Sequence, residues 1–310
     1  MKQKFFSKTI FVWLTAGFCC LLWGSAFPSI KIGYRLFQID SEDTASIILF
    51  AGLRFFLAGV LTILIFSLAE RKPLLPSRKA LPKIAVLSVF QTILQYLFFY
   101  LGLAFTTGER ASVIQGTNVF MALLISSLLF KMESITANKI IGSVIGFAGV
   151  LLVSLDVFAK AENASFAGET CILLSTLSYA FSSVFMKKYA ENDNPAMLSG
   201  WQFVIGGAVM TAVGLLFGGN ISGFTFQSTA LLIYMAFISA FAYSLWSLLL
   251  KYNPVSKVTV CGFMTPVFGF ILSSLFAGDS SSVGFLGICA LLLVVAGMII
   301  VNNTRRATQK

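Results

Sequence analysis

Long uninterrupted runs of apolar residues, separated by short polar stretches, dominate the chain. Runs of about 18 to 25 apolar residues are long enough to cross a bilayer as a helix, and the chain contains ten such runs. They cover 10–30, 45–68, 82–105, 111–130, 136–155, 167–186, 196–217, 229–250, 255–277 and 283–301. The longest connection, from Ala69 to Leu81, leaves no room for a soluble domain. The pattern predicts an all-α integral membrane protein with ten transmembrane helices.

Composition supports a membrane setting. Of the 310 residues, 57% are hydrophobic and 11% are charged, and the mean hydropathy is +0.89. In a soluble domain about a quarter of the residues are charged. The formal charge of +10 sits in short clusters rather than in a basic stripe with interleaved aromatics, so we expect a lipid bilayer as partner and no nucleic acid.

Several kinds of chemistry are missing from the sequence. It has no histidine, which removes the Ser-His-Asp triad and His-ligated metals. Its five cysteines lie in apolar runs without a C-x-x-C pair, so we interpret them as buried hydrophobic residues. No Walker-type phosphate loop is present either. We therefore expect no cofactor, no metal and no ATPase or other enzyme activity.

The distribution of Lys and Arg predicts the orientation. With both termini in the cytoplasm, 17 basic residues face the cytoplasm and four (Lys31, Arg35, Arg110, Lys160) face outward. The first span, preceded by basic residues, also resembles a signal peptide, but its length and its recurrence later in the chain favour an uncleaved helix. We expect a multi-pass protein of the inner membrane with both termini cytoplasmic.

The second half of the chain repeats the first. Residues 23–31 align with 179–187, and 53–60 align with 201–208. Further pairs at separations of 147 or 148 are Tyr96 with Tyr243, Arg110 with Lys257, and Ala148-Gly149 with Ala296-Gly297. Five spans separate equivalent helices, and because five is odd the two halves enter the membrane in opposite directions. We predict two inverted five-helix repeats, at 1–157 and 163–305.

Several motifs carry a family resemblance: Trp23-Gly-Ser-Ala-Phe with Lys31, Leu53-Arg54-Phe55, Ala104 with Thr107 and Ala111, Glu133-x-x-Thr136 with Gly142 and Gly149, and Thr265-Pro266-Val267. With this order and spacing, the chain resembles the EamA branch of the drug/metabolite transporter superfamily. The resemblance implies an inner-membrane carrier of small metabolites, often an exporter of amino acids or related compounds, with a central cavity between its halves. Where the ninth span has Pro266, the fourth has Val119, so a hinge is expected in only one half.

Arg54 is the one ionised side chain well inside a span. A guanidinium at that depth is costly unless it faces the bundle interior and finds partners. It either binds a substrate carboxylate or phosphate, or donates structurally to backbone carbonyls and to Gln or Asn of neighbouring helices. No Asp or Glu lies at comparable depth; Glu109 and Glu169, at the predicted outer mouth, are the nearest candidates for proton coupling.

Polar and aromatic residues inside the spans complete a candidate substrate cavity, since a few polar groups among aromatics are typical of small-molecule sites. Gln91 accompanies Gln95 and Tyr96 on one helix, and Phe27 shares a face with Trp23. Interface anchoring or interhelical hydrogen bonding remains an alternative for each residue. The candidates are Arg54, Trp23, Gln95, Tyr96, Gln115, Asn118, Tyr179, Trp201, Gln202, Tyr243 and Trp246.

The predicted function is secondary transport of a small metabolite by alternating access, with export of an amino acid or related compound favoured. Uptake or exchange of a nucleotide-derived metabolite such as S-adenosylmethionine is an alternative, as is a non-transporting membrane enzyme or sensor. A channel is less favoured, since no ring of like charges and no carbonyl filter is visible. The sequence leaves the substrate, the direction of transport, the coupling and the oligomeric state open.

Overall fold

A computed structural model describes residues 6–303 apart from 41, 104, 107, 153–164 and 278–282. The described residues form ten helical segments and no strand. These segments are α1 (Thr9–Leu36), α2 (Thr44–Glu70), α3 (Leu81–Leu103), α4 (108–129), α5 (Ala137–Leu152), α6 (Phe166–Ala190), α7 (Pro195–Leu216), α8 (Phe226–Tyr252), α9 (255–277) and α10 (Val283–Asn302).

The helices confirm the predicted spans. Six of them, α1, α2, α3, α6, α7 and α8, are long and apolar enough to cross a membrane. The other four contain shorter apolar stretches, at Val113–Leu129, Ala137–Leu152, Val255–Gly269 and Gly287–Asn302. Each of the ten predicted spans coincides with one helix, so the chain is an all-α integral membrane protein.

Local sequence signals explain where several helices begin. The carboxylate of Asp43 accepts the backbone N–H of Ser46 and caps α2. Asn194 caps α7 in the same way and is followed by Pro195, whose fixed φ suits a first helical position. Thr225 and Ser228 form a reciprocal capping box at α8. These caps satisfy N–H groups that have no partner within the helix.

A seam of glycines joins α2 to α7. A Cβ added to Gly59 would lie 2.6 Å from the carbonyl oxygen of Gly200, and one added to Gly207 would lie 2.9 Å from that of Gly52. Gly52 and Gly59 precede Gly200 and Gly207 by 148 residues each. The two contacts are therefore exchanged when the halves are exchanged, as a two-fold relationship between the repeats requires.

A second seam joins α5 to α10 with the same symmetry. A Cβ on Gly142 would lie 2.6 Å from the carbonyl oxygen of Gly297, and one on Gly149 would lie 2.7 Å from that of Ala290. Gly142 and Gly149 precede Ala290 and Gly297 by 148 residues each, so these two contacts are also exchanged when the halves are exchanged. Backbones approach this closely only where side chains are absent, so these glycines have a packing role.

The remaining helices exchange partners in the same way. In the first half, α1 packs against α8 and α9, and in the second half α6 packs against α3 and α4. Likewise α2 contacts α8, and α7 contacts α3. Every element thus packs chiefly on the opposite half, and the two halves form one inverted-repeat bundle.

Irregular turns interrupt α3, α4 and α9. In α3, residues Ser88–Leu94 are π-helical. Helix α4 is broken at Thr117, and α9 contains a 3₁₀ turn at Val260–Phe263 just before Met264, the counterpart of Thr117 at a separation of 147. Both halves thus carry an irregular turn here, and α4 breaks without proline. The expectation of a hinge in only one half stays a prediction.

Candidate functional site

Arg54 lies deep in α2. It follows Thr44, the first residue of the helix, by ten positions, which is about 15 Å along the axis. The residue is only 4% exposed. Its guanidinium is therefore removed both from lipid and from the water at either end of the bundle.

The guanidinium of Arg54 has aromatic neighbours and no anionic ones. Its Cζ lies 4.4 Å from the ring centroid of Phe55 and 5.9 Å from that of Tyr96. Within the part of the chain that the structure describes, no carboxylate lies within ion-pair distance of the guanidinium, and the guanidinium donates no hydrogen bond. Its Nε atom is buried without a hydrogen-bond partner. The aromatic faces favour the cation but do not neutralise it.

Four tyrosine side chains lie within electrostatic range of Arg54: Tyr34, Tyr96, Tyr100 and Tyr243. The hydroxyl oxygens of Tyr96 and Tyr243 are 2.8 Å apart, and the side chain of Tyr34 interacts with that of Tyr100. In each pair one hydroxyl donates its proton to the other, and the proton of the accepting hydroxyl is not used within the pair. The tyrosines place phenol hydroxyls near the cation as candidate donors for a bound ligand.

Sequence reasoning missed two of these tyrosines. Tyr100 follows Tyr96 by four residues and so shares its face of α3, a signal that was sufficient to find it. Tyr34 lies near the end of α1, where tyrosine is typical of a membrane interface. Its place beside Arg54 depends on the packing of α1 in the bundle.

An aromatic cluster continues from Tyr243. The ring of Trp23 meets Tyr243 and Trp246 edge to face, with centroids 5.1 Å and 5.0 Å apart. The indole nitrogens of Trp23 and Trp246 are buried without hydrogen-bond partners. The Tyr179 side chain lies near that of Tyr96. The structure therefore brings five predicted residues into one aromatic cluster, which adjoins Arg54 through Tyr96 and Tyr243. They are Trp23, Tyr96, Tyr179, Tyr243 and Trp246.

Three amide side chains add unpaired acceptors. Gln91, Gln95 and Asn118 are between 4% and 8% exposed, and the carbonyl oxygen of each lacks a hydrogen-bond partner. The Gln95 side chain lies near the Tyr243 hydroxyl, which attaches it to the aromatic cluster. Asn118 follows the break in α4, and Gln115 is half-buried just before it. Buried acceptors without partners are costly and suit a ligand that donates hydrogen bonds.

Two predicted residues have other partners. The Trp201 indole N–H donates to the carbonyl oxygen of Leu74, at 2.8 Å, and so attaches α7 to the α2–α3 connection. Gln202 is fully buried and accepts a 2.6 Å hydrogen bond from Thr92. Both arrangements are interhelical hydrogen bonds, the alternative that the sequence left open for such residues.

Three further candidates contribute little geometry. The side chains of Phe27 and Glu109 lie outside the described residues. Glu169 lies in the first turn of α6 and is partly exposed.

Comparison with known proteins accounts for the repeat of the first half in the second. The model of the EamA-like transporter family matches residues 9–155 and again 166–303. The chain belongs to the EamA-like transporter family. Membership agrees with the six helices that are long and apolar enough to cross a membrane.

Individual relatives are distant. The chain is 28% identical to an uncharacterized transporter of Archaeoglobus fulgidus over 63% of this chain and 64% of the relative. It is 27% identical to a chloroplastic WAT1-related protein of Arabidopsis thaliana over 79% of this chain and 61% of the relative. It thus spans less than two thirds of the length of either. It is also 26% identical to the uncharacterized transporter YvbV of Bacillus subtilis, with 95% of this chain and 92% of that protein covered.

A solved structure shares the EamA fold of this chain. A crystal structure superposes with a TM-score of 0.74 at 17% identity, covering 95% of this chain and 99% of the other. At this identity the likeness concerns the fold alone.

Proposed function

We propose that this EamA-family protein is a secondary transporter of the inner membrane that moves a small metabolite carrying an acidic group by alternating access. Export of an amino acid or a related compound fits this site best. The two repeats, 1–157 and 163–305, form the two halves of the carrier, and both termini face the cytoplasm. The excess of Lys and Arg on the proposed cytoplasmic side supports this orientation.

The unpaired cation carries the proposal. On insertion scales, an arginine at the centre of a membrane helix costs about 2.5 to 3.5 kcal/mol. Arg54 has neither a carboxylate partner nor a hydrogen-bond acceptor within the described residues, and its contacts there are with aromatic rings. A structural arginine that donates to backbone carbonyls would have such acceptors. A substrate anion supplies what the site lacks.

The environment of Arg54 suits the carboxylate of an amino acid. A guanidinium binds a carboxylate through two parallel hydrogen bonds, and hydroxyls of the surrounding tyrosines are available as further donors. The carbonyl oxygens of Gln91 and Gln95 are unpaired acceptors for an ammonium group. The aromatic rings of Trp23 and Trp246 supply apolar walls for the side chain.

The test begins by finding a substrate. Metabolites accumulated by cells lacking the protein and depleted in overexpressing cells are identified, and the responding compound is assayed by counterflow in proteoliposomes. Arg54→Gln should keep the fold, by monodisperse elution from a sizing column, yet lose at least about tenfold in transport, because one tenfold step corresponds to about 1.4 kcal/mol of lost binding. Arg54→Lys should restore transport only in part, since lysine keeps the charge without the bidentate fork.

Arg35→Gln is the matched control. It removes the same charge from an exposed position in the last turn of α1 and should transport like the parent. Normal transport by a well-folded Arg54→Gln protein would remove the substrate-ligand role from Arg54.

A further inference from the structure

A buried carboxylate lies at the end of the bundle opposite to the outer mouth. Glu133 belongs to the connection between α4 and α5, and its side chain is 6% exposed. Its Oε2 lies 2.7 Å from Nζ of Lys139, in the first turn of α5. That lysine also donates to the carbonyl oxygen of Ser134, at 2.6 Å. The ion pair thus organises its own half of the protein.

The same carboxylate reaches across to the other half. Oε1 accepts the backbone N–H of Ser256 at 3.0 Å, and Oε2 accepts the Ser256 hydroxyl. Ser256 is the second residue of α9, so the carboxylate lies at the positive end of that helix. Ser126, near the end of α4, donates to Oε1 at 2.7 Å. Glu133 therefore ties the end of α4 to the start of α9.

These two helices are the ones that break at matching places. Thr117 interrupts α4, and Val260–Phe263 interrupts α9. Below the breaks, the segment Asn118–Leu124 packs against Val255–Thr259. Irregular turns let a helix segment move relative to the remainder of the helix. The contact between these two segments is closed in this structure, and Glu133 holds it from the cytoplasmic side.

We propose that Glu133 and Ser256 form a latch that keeps the cytoplasmic side of the transporter closed, and that access to the central site from the cytoplasm requires the latch to separate. The inference rests on the proposed alternating-access function. Because the latch joins residues of opposite repeats, its opening is a movement of one half against the other. The Glu133–Lys139 pair lies within one repeat and stays together in both states.

Thiol labelling tests the latch without any substrate. Val258 is fully buried in the first turns of α9, where α9 packs on α4. Val258→Cys is placed in a protein whose five native cysteines are replaced by alanine, and inside-out membrane vesicles are exposed to a membrane-impermeant maleimide. With the latch intact, labelling should be slow. Glu133→Gln should accelerate it at least fivefold, because the amide loses the ion pair and half of its acceptor capacity.

Matched variants show whether faster labelling comes from opening of the latch or from loosening of the whole bundle. Ser256→Ala keeps the Glu133–Lys139 pair and should also accelerate labelling, so it decides the question if Glu133→Gln does not fold. Glu191→Gln removes an exposed carboxylate from the end of α6 and should leave labelling unchanged. Met210→Cys, fully buried on α7, should stay unlabelled in every background unless the whole bundle loosens.

Unchanged labelling of Val258→Cys in both latch variants would overturn the inference, and so would equal acceleration at Met210→Cys. Neither result bears on Arg54, whose role is measured by transport. Conversely, a fully active Arg54→Gln protein would remove the substrate-ligand role from Arg54, and the labelling result would still stand by itself.

Discussion

The hydroxyl oxygen of Tyr96 lies 2.8 Å from that of Tyr243. The two residues occupy equivalent positions of the two repeats, 147 residues apart. A direct contact between equivalent residues means that the pseudo-two-fold axis passes between them. Arg54 stacks near the Tyr96 ring, so the candidate anion site lies at the centre of symmetry, where the two halves move against each other.

Removing the Tyr96 hydroxyl should weaken substrate binding without unfolding the protein. A hydrogen bond of this kind contributes about 0.5 to 1.5 kcal/mol. Tyr96→Phe and Tyr243→Phe should therefore each raise the KM for transport by roughly two- to twelvefold, measured by proteoliposome counterflow. Tyr252→Phe, at the end of α8 where the ring stacks on Phe6, is the control. An unchanged KM in both central variants would place the tyrosine pair outside the substrate site.

A single methyl group in the α2–α7 seam should destabilise the bundle. A Cβ on Gly207 would lie 2.3 Å from the backbone nitrogen of Phe56, a contact that only backbone movement relieves. Overpacking of this kind costs about 1 to 3 kcal/mol. Gly207→Ala should therefore lower the temperature of thermal unfolding in detergent by several degrees.

Gly17→Ala is the matched control for the seam. A Cβ at Gly17 meets only the Met264 side chain, at 3.8 Å. Alanine also favours a helix over glycine by about 1 kcal/mol. Gly17→Ala should leave the unfolding temperature unchanged or raise it. Equal losses in Gly17→Ala and Gly207→Ala would mean that close backbone approach does not explain the glycines.

Much of the fold was predictable because it depends on long-range composition. Apolar run lengths gave all ten helices, and the separation of 147 or 148 residues gave the two-fold relationship that the glycine contacts display. The break in α4 at Thr117 was not predictable, because no proline or glycine pair marks it; the Thr117 hydroxyl donates instead to the carbonyl oxygen of Ile114. Such local side-chain competition for the backbone depends on context.

The candidate site was predictable only in its centre. Burial inside a span identified Arg54, and the repeat identified Tyr96 with Tyr243. Tyr34 joined the site through packing of α1, and Trp201 found a partner in the α2–α3 connection. Whether such a residue reaches the site depends on the side of the helix on which it lies. A helix that is apolar on all faces has no periodic sequence pattern that indicates this side. The assignment of these residues to substrate binding stays a prediction.

Reporter fusions should show both ends of the chain in the cytoplasm. Fusions after Lys8, after Arg78 and after Arg306 should give cytoplasmic activity, and fusions near Asp40 and Glu162 should give activity on the outer side. The reason is the excess of Lys and Arg on one side of the ten spans. A C-terminal fusion active on the outer side would contradict this orientation, because an even number of helices returns the chain to its starting side.

Transport should proceed by facilitated diffusion or substrate exchange rather than by proton coupling. A proton-coupled carrier needs a group whose protonation alternates with substrate binding near the site. The chain has no histidine, and no carboxylate lies within ion-pair distance of Arg54 among the residues that the structure describes. Glu133 is buried but ion-paired with Lys139 at one end of the bundle, where it serves the closed contact rather than the substrate.

Counterflow without ATP distinguishes facilitated diffusion or substrate exchange from proton-coupled transport. Unlabelled substrate preloaded into proteoliposomes should accelerate entry of labelled substrate, since a carrier returns faster when loaded, and collapse of an imposed pH gradient should change the plateau little. Glu109→Gln and Glu169→Gln remove the two carboxylates nearest the proposed outer mouth and should leave exchange intact. Accumulation of substrate driven by a proton gradient, and abolished by either substitution, would instead make the protein a proton-coupled carrier, because the alternating group would then lie at the mouth rather than beside Arg54.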